Sequence, residues 1–443
     1  MTRGDETRGN DMMAKIRFVR AREILDSRGN PTVEVNVKLH GGYNGRAAVP
    51  SGASTGRHEA CEVRDGDSSR YRGNGVRMAV AAVNDILGPT LEGTDAIGQD
   101  SVDRRMIDID RSPRKSRLGA NAILGVSMAV ARAAASATSQ PLFAYLREQF
   151  LPERSRWRLP VPMFNVLNGG AHAHWEGTDM QEFMVVPAGA PTYSEALRWG
   201  SETYQALRIL LKEAGHPTAV GDEGGFAPRL PKNVHAIELV LKAIERAGYR
   251  PGDEVFLALD PAASEFYEGG RYHLRTEARE ETAEEMIAMY ADWAARYPIV
   301  VIEDGLAEDD WAGWKGLNAR LGSKVELVGD DLFVTSVDRL AQGIREDAAN
   351  AVLIKPNQIG TVTETAAAVK AAYDAGWGAM VSHRSGETAD TFISDLAVAL
   401  DTGHLKAGAP CRGERVEKYN QLLRIEEALG ESAEYAGRGG FVR

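Results

Sequence analysis

VFLALD (255–260), IVVIE (299–303), LVGD (327–330), AVLIK (351–355) and AMVSH (379–383) are short apolar runs, each closed by a polar residue. The closing residues Asp260, Glu303, Asp330, Lys355 and His383 follow one another at intervals of 43, 27, 25 and 28 residues. Most of these intervals are the length of one strand plus one helix, with amphipathic stretches between the runs. That cadence is expected of a β/α barrel, whose catalytic groups collect at the C-terminal ends of the strands. The rival is a doubly wound open sheet, but no glycine-rich dinucleotide fingerprint follows the first strand.

Towards the N-terminus the pattern changes. Residues 15–40 alternate as strands do, with Asp-Ser-Arg-Gly-Asn-Pro (26–31) as a turn between two of them. Residues 76–87 and 121–147 have helical periodicity, the second interrupted near Pro141. Strands followed by helices predict an α+β domain. The stretch 151–162, with Pro152, Pro160 and Pro162, reads as a connection. At 443 residues, two domains are expected. The expected division is a disordered tail at 1–14, an N-terminal α+β capping domain at 15–150 and a catalytic barrel at 151–443.

Composition narrows the function classes. Hydrophobic residues make up 43% and charged residues 26%, the balance of a globular chain. A net charge of -11 argues against a broad nucleic-acid face, while leaving room for a local basic pocket that takes a small anion. The first 15 residues hold no apolar signal-peptide core. The apolar stretch 120–135 is broken by Asn121, Gly125, Ser127 and Arg132, so no membrane span is expected. Cys61 and Cys411 make no disulfide framework, and a reduced, cytoplasmic location is expected.

A single carboxylate at a strand end is ordinarily a helix N-cap or half of a surface ion pair. A succession of Asp, Glu, Asp, Lys and His at one barrel rim reads differently, because three acids without a cation repel one another. Carboxylate oxygens plus water make a hard site suited to Mg²⁺. A lysine beside such an ion has its pKa pulled down towards the range of a working base.

Seven long motifs sharpen the reading: AREILDSRGNPTVEV (21–35), VPSGASTG (49–56), LGANAILGVS (118–127), GDEGGFAP (221–228), LVGDDLFVT (327–335), SHRSGET (382–388) and KYNQLLRIEE (418–427). With these, the chain resembles the enolase family from Ala21 to Gly440. The resemblance implies an N-terminal α+β domain before a TIM-like barrel, two Mg²⁺ ions and a homodimer or higher homo-oligomer. It implies that Asp260, Glu303 and Asp330 hold the first Mg²⁺, with Asp331 behind them, and that Ser54 helps the second to bind. Lys355 would remove the C2 proton of a 2-phosphoglycerate-type substrate. Glu223 would protonate the departing hydroxyl, supported by Glu182 and Gln181. Lys406 would hold the substrate carboxylate, Arg384 and Ser385 its phosphate, and His172 and His383 would close over the site.

The loops depart from the family's usual pattern. His172-Ala-His-Trp-Glu-Gly-Thr-Asp-Met-Gln-Glu-Phe183 has one residue more than is usual and brings in His174, Trp175 and Glu176. Arg57 follows the SGASTG motif, Gly305 follows Ile302-Glu-Asp, Pro356 follows Lys355 and Ala407 follows Lys406. Arg57 could serve a second anionic group, and the Trp175 ring could stack on a planar one. On these loops, the expected activity is that of a specialised biosynthetic paralogue of the carboxyphosphonoenolpyruvate synthase type. It would take a small phospho-acid and a second phosphonate or nucleotide-activated substrate. The alternative is the glycolytic lyase that interconverts 2-phosphoglycerate and phosphoenolpyruvate. A non-catalytic role is disfavoured by the intact metal, base and acid residues.

Overall fold

The turn at 26–31 is built by Asp26, whose carboxylate accepts the backbone N–H groups of Arg28 and Asn30 at 2.8 and 2.9 Å. Gly29 supplies the positive φ that the turn requires. The turn joins β1 (Ile16–Leu25) to β2 (Pro31–Leu39) in antiparallel register, Leu25 opposite Pro31. A third strand, β3 (Asn44–Ala48), absent from the sequence reading, completes the order β1-β2-β3. Val33, Val35, Val37 and Leu39 face inward at period two. Helix α1 (Ala120–Ala137) packs on them so closely that a Cβ on Gly125 would meet Val35 Cγ2 at 2.7 Å. By length and composition α1 could cross a membrane, but 83% of it is buried inside this fold. Its apolar character belongs to a core helix.

This computed structural model describes residues 12–52, 56–173 and 175–441. The chain forms two units, the first made of Met1–Ser155, Lys355–Ala368 and Arg384–Leu400 and the second of the remainder. The first break between the units falls after Ser155, and two later stretches belong to the first unit. They are tied in by named bonds. Asp103 accepts from Thr363 N and Oγ1 at 3.0 and 2.7 Å, and Arg132 pairs with Asp390 at 2.6 Å. Of the expected tail, residues 1–11 lie outside the described residues, and the Met13 carbonyl already accepts a bond from Gly41 N.

The second unit is a closed eight-strand barrel: β4 (Val161–Asn168), β5 (Glu182–Val186), β6 (Phe256–Asp260), β7 (Ile299–Glu303), β8 (Glu326–Gly329), β9 (Ala351–Ile354), β10 (Gly378–Ser382) and β11 (His404–Lys406). The stretch expected as a connection therefore already enters the barrel at Val161, and Trp157–Leu159 forms a short strand against Ala433–Tyr435. Around the ring the order is β7-β8-β9-β10-β11-β4-β5-β6. The repeating strand–helix cadence predicts parallel neighbours throughout, yet β5 is antiparallel to both β4 and β6. The reason is the connection. Among the described residues the connection from β4 to β5 holds a 3₁₀ turn at Gly170–Ala173 and no α-helix to carry a parallel crossover, so β5 returns as an antiparallel partner. The helices α2 (Tyr193–Glu213) and α3 (Asn233–Arg246) both fall between β5 and β6.

Residues two apart on a strand share a face. Ala258, Val301, Val328, Leu353 and Met380 lie in one buried cluster with Met163, Met184 and Phe256. Two residues further along each parallel strand stand Asp260, Glu303, Asp330, Lys355 and Ser382. The inward face therefore climbs from an apolar floor to a charged mouth.

Candidate active site

Because β5 runs backwards, its first residue, Glu182, reaches the mouth, paired in register with Asp260. Lys406 ends β11 and places Nζ 2.8 Å from Asp260 Oδ2, 2.8 Å from Glu303 Oε2 and 3.1 Å from Glu182 Oε2. All four side chains are buried. Burial alone would lower the Lys406 pKa, but the carboxylates of Asp260, Glu182, Glu303 and Glu223 carry it well above the usual lysine value. Burial and the neighbouring Glu223 raise Glu182, against the pull of Lys406.

Glu223 lies in the loop between α2 and α3. Burial would raise its pKa, but His172, His383 and Arg415 hold it well below the usual carboxylate value. Asn165 Nδ2, from β4, donates to Glu223 Oε2 at 3.0 Å. His172 Nε2 is 3.8 Å from Glu223 Oε1, while His172 Nδ1 is 4.0 Å from Glu182 Oε1. His383 directly follows β10, and its Nε2 is 3.5 Å from Glu223 Oε2. Arg415 Nη1 lies 2.5 Å from His383 Nδ1. Guanidinium has only donors, so Nδ1 accepts and the neutral ring carries its proton on Nε2, facing Glu223.

The donor set fits a divalent cation. Glu182, Asp260, Glu303 and Asp330 are no more than 8% exposed, and one ammonium, Lys406, stands among them. The surplus of buried carboxylate charge calls for a hard cation of oxygen preference. Asp330 gathers with Asp304 and Asp331, one oxygen of each within 4.8 Å of the others. Asp304 orients that edge by accepting Asp330 N and Asp331 N at 2.8 and 2.9 Å. Burial, then Asp331 and Asp330, raises its pKa well above the usual value.

Residues 16–146 match the family description "Enolase, N-terminal domain", and residues 156–442 match "Enolase, C-terminal TIM barrel domain". The chain is 64% identical over 432 residues to "Enolase 2" of Pseudomonas syringae pv. syringae, covering 98% of this chain and 100% of that protein. It is 58% identical over 430 residues to "Enolase 2" and 56% identical over 431 to "Enolase 1" of Methanospirillum hungatei. Those alignments each cover 97% of this chain and 99% and 100% of the relatives. The chain belongs to the enolase family. It is an enzyme of enolase-type lyase chemistry, and the family works on a small phospho-acid with a divalent metal.

Against the enolase pattern, the barrel unit brings His172, Glu182, Glu223, Asp260, Glu303, His383 and Lys406 together, with Asp330 beside Asp304. Gln181 is buried next to Glu182, and its Oε1 has no hydrogen-bond partner among the described residues. Lys355 follows β9 directly and is half-buried; it falls in the first unit. Also in that unit, Arg384 is buried and already engaged, donating to both Glu59 oxygens at 3.0 and 3.1 Å and to Asn357 Oδ1 at 3.0 Å. Ser385 is buried beside it, and Arg57 is exposed. Ser54 and His174 lie outside the described residues.

One expectation is corrected. One face of the Trp175 ring is taken: the Arg275 guanidinium stands over it, 4.4 Å from the centroid. A planar, weakly hydrated cation is the natural occupant of such a face. Sequence reasoning also missed Arg415, Asn165, Asp304 and Glu59. Asp304 had a local signal, since it sits beside Glu303 in the same motif. Arg415 and Asn165 had none, because their partners come from distant elements.

Proposed function

We propose that this chain catalyses the reversible dehydration of 2-phosphoglycerate to phosphoenolpyruvate and water. The observation that carries this reading is the set of buried carboxylates gathered on Lys406, faced by Glu223 between two histidines and backed by Arg415. The relatives favour the glycolytic alternative over the specialised paralogue. They bear the name Enolase and match 97–98% of the chain, and the altered His172 loop finds partners inside the protein.

Lys355, following β9, takes the C2 proton of the substrate. Lys406 neutralises charge on the substrate carboxylate as the carbanion forms. The C3–O bond then breaks, its electron pair leaving with oxygen, and the glutamate pair Glu182/Glu223 returns a proton so that water departs. Asp260, Glu303 and Asp330 would hold Mg²⁺, which when bound supplies positive charge against the second negative charge growing on that carboxylate. Arg384 and Ser385 would meet the phosphate, with Arg384 keeping Glu59 as its internal counter-charge.

The test is a steady-state assay with 2-phosphoglycerate as the only substrate, with Mg²⁺ and then with excess chelator. Turnover of ~1–10³ s⁻¹, lost on chelation and regained with Mg²⁺, is expected. A folded, Mg²⁺-loaded protein that turns over only when a second phosphonate is supplied would reinstate the paralogue.

A further inference from the structure

We propose that Trp175 and Arg275 are a pair of positioning residues that set where His172 stands relative to Glu223. The loop from β4 to β5 is held at two places of different character. Its base is pinned by Asp179, whose N–H donates to Asn233 Oδ1 at 2.7 Å and whose Oδ2 accepts Asn233 Nδ2 at 2.8 Å. Thr276 N donates to Asp179 Oδ1 at 3.1 Å, and Thr276 Oγ1 to the Gly177 carbonyl at 3.0 Å. Asp179 and Asn233 are buried, so this hub is fixed with the fold.

The upper half is held differently. Arg275, the residue before Thr276, reaches over the Trp175 ring at 4.4 Å. Trp175 has a φ of +60° and donates its N–H to the Gly170 carbonyl at 2.8 Å, which closes a turn on the 3₁₀ segment that carries His172. A shift of the indole is therefore passed through one backbone bond to the histidine, whose Nε2 is 3.8 Å from Glu223 Oε1. Glu176 and Arg229 form a second tie at 2.5 Å. Both are largely exposed, so that ion pair counts for little. The cation over the indole is the stronger hold.

The pair can be seen without turnover. Amide exchange of residues 169–180, followed by mass spectrometry on the full chain, should quicken about threefold in Arg275→Ala and in Trp175→Ala. Arg275→Lys and Trp175→Phe, which keep a cation and a π face, should restore most of the protection. The kinetic arm rests on the proposed lyase reading. Each alanine variant should lose about threefold in kcat/KM, or ~0.7 kcal/mol, and the double variant no more than either alone. Unchanged exchange in both alanine variants, or losses that multiply in the double variant, would overturn the proposal. If exchange responds but the parent does not turn over 2-phosphoglycerate, the pair stands and the lyase reading falls.

Discussion

The mouth and the floor of the barrel are built on the same strands with the same two-residue period, and their chemistry is opposite. At the mouth Glu182, Asp260 and Glu303 crowd one ammonium. Two residues down, the corresponding positions are Met184, Ala258 and Val301, all within the apolar cluster. The floor has its own polar group. His404 begins β11, fully buried, with Nδ1 3.5 Å from Glu326 Oε1 and the Phe441 ring 4.4 Å away. Charge at the mouth is costly and serves a reaction; apolar surface at the floor supplies the stability that tolerates it.

The largest expected effect tests the proposed chemistry. Lys355→Ala should cut turnover by about 10³-fold, within the range for loss of a general base, and should stop exchange of the substrate C2 proton with solvent. On the proposed roles, Glu223→Gln should lose elimination while retaining that exchange, because the acid would act only after the carbanion forms. Proton exchange followed by NMR separates the two. Equal behaviour in both variants would dissolve the division of labour.

Next comes the floor. Met380→Ala removes a buried side chain that no step uses, and should cost ~2–5 kcal/mol of unfolding free energy, read by denaturant titration. The turnover of the folded fraction should change little. A large fall in turnover with unchanged stability would mean that floor and mouth are not separable.

His404 gives a pH signature. Burial, with Arg158 adding to it, pushes its pKa down to about 3, against the backbone bond at Ala379. The unfolded histidine takes a proton below ~6.5 and the folded one does not until about 3. Stability is therefore lost as pH falls through that window, by up to ~1.4 kcal/mol per pH unit from this group. His404→Gln should flatten the slope between pH 6 and 4, checked by unfolding at several pH values. The smallest effect returns to the mouth. Glu182→Gln removes one of the crowded carboxylates and should raise stability by about 1 kcal/mol while lowering activity. A destabilised but active variant would contradict the trade between the two ends.

Much of this was legible in the sequence for a physical reason. A strand buried on both faces must be apolar until it emerges, so Asp260, Glu303, Asp330, Lys355 and His383 announce themselves where the runs stop. Glu182 obeys the opposite rule, standing before its apolar run, and only the family resemblance flagged it. The cause is the reversal of β5, whose connection from β4 carries no α-helix among the described residues. Arg384 was read as a phosphate ligand from its motif, while its partner Glu59, 325 residues away in the chain, gave no signal. Nor does anything near Trp175 in the sequence bring Arg275 to its ring. Long-range pairs of this kind are specified by topology, which a one-dimensional pattern does not contain.

The seam where β11 meets β4 pairs His404 with Val161 and Lys406 with Met163. In the order of synthesis, that seam joins one of the last strands made to the first of the barrel. Long-range pairing of this kind is slow, and chains emerge N-terminal end first. Until β11 arrives, Glu182, Asp260 and Glu303 are already on nascent strands without the ammonium that neutralises them. Ring closure therefore brings in, with one of the last strands, the cation that these carboxylates pair with. Protease resistance of ribosome-stalled chains should rise sharply only once residue 406 has cleared the ribosome. Lys406 is in this sense a keystone: the strand that closes the ring also carries the charge that its neighbours await.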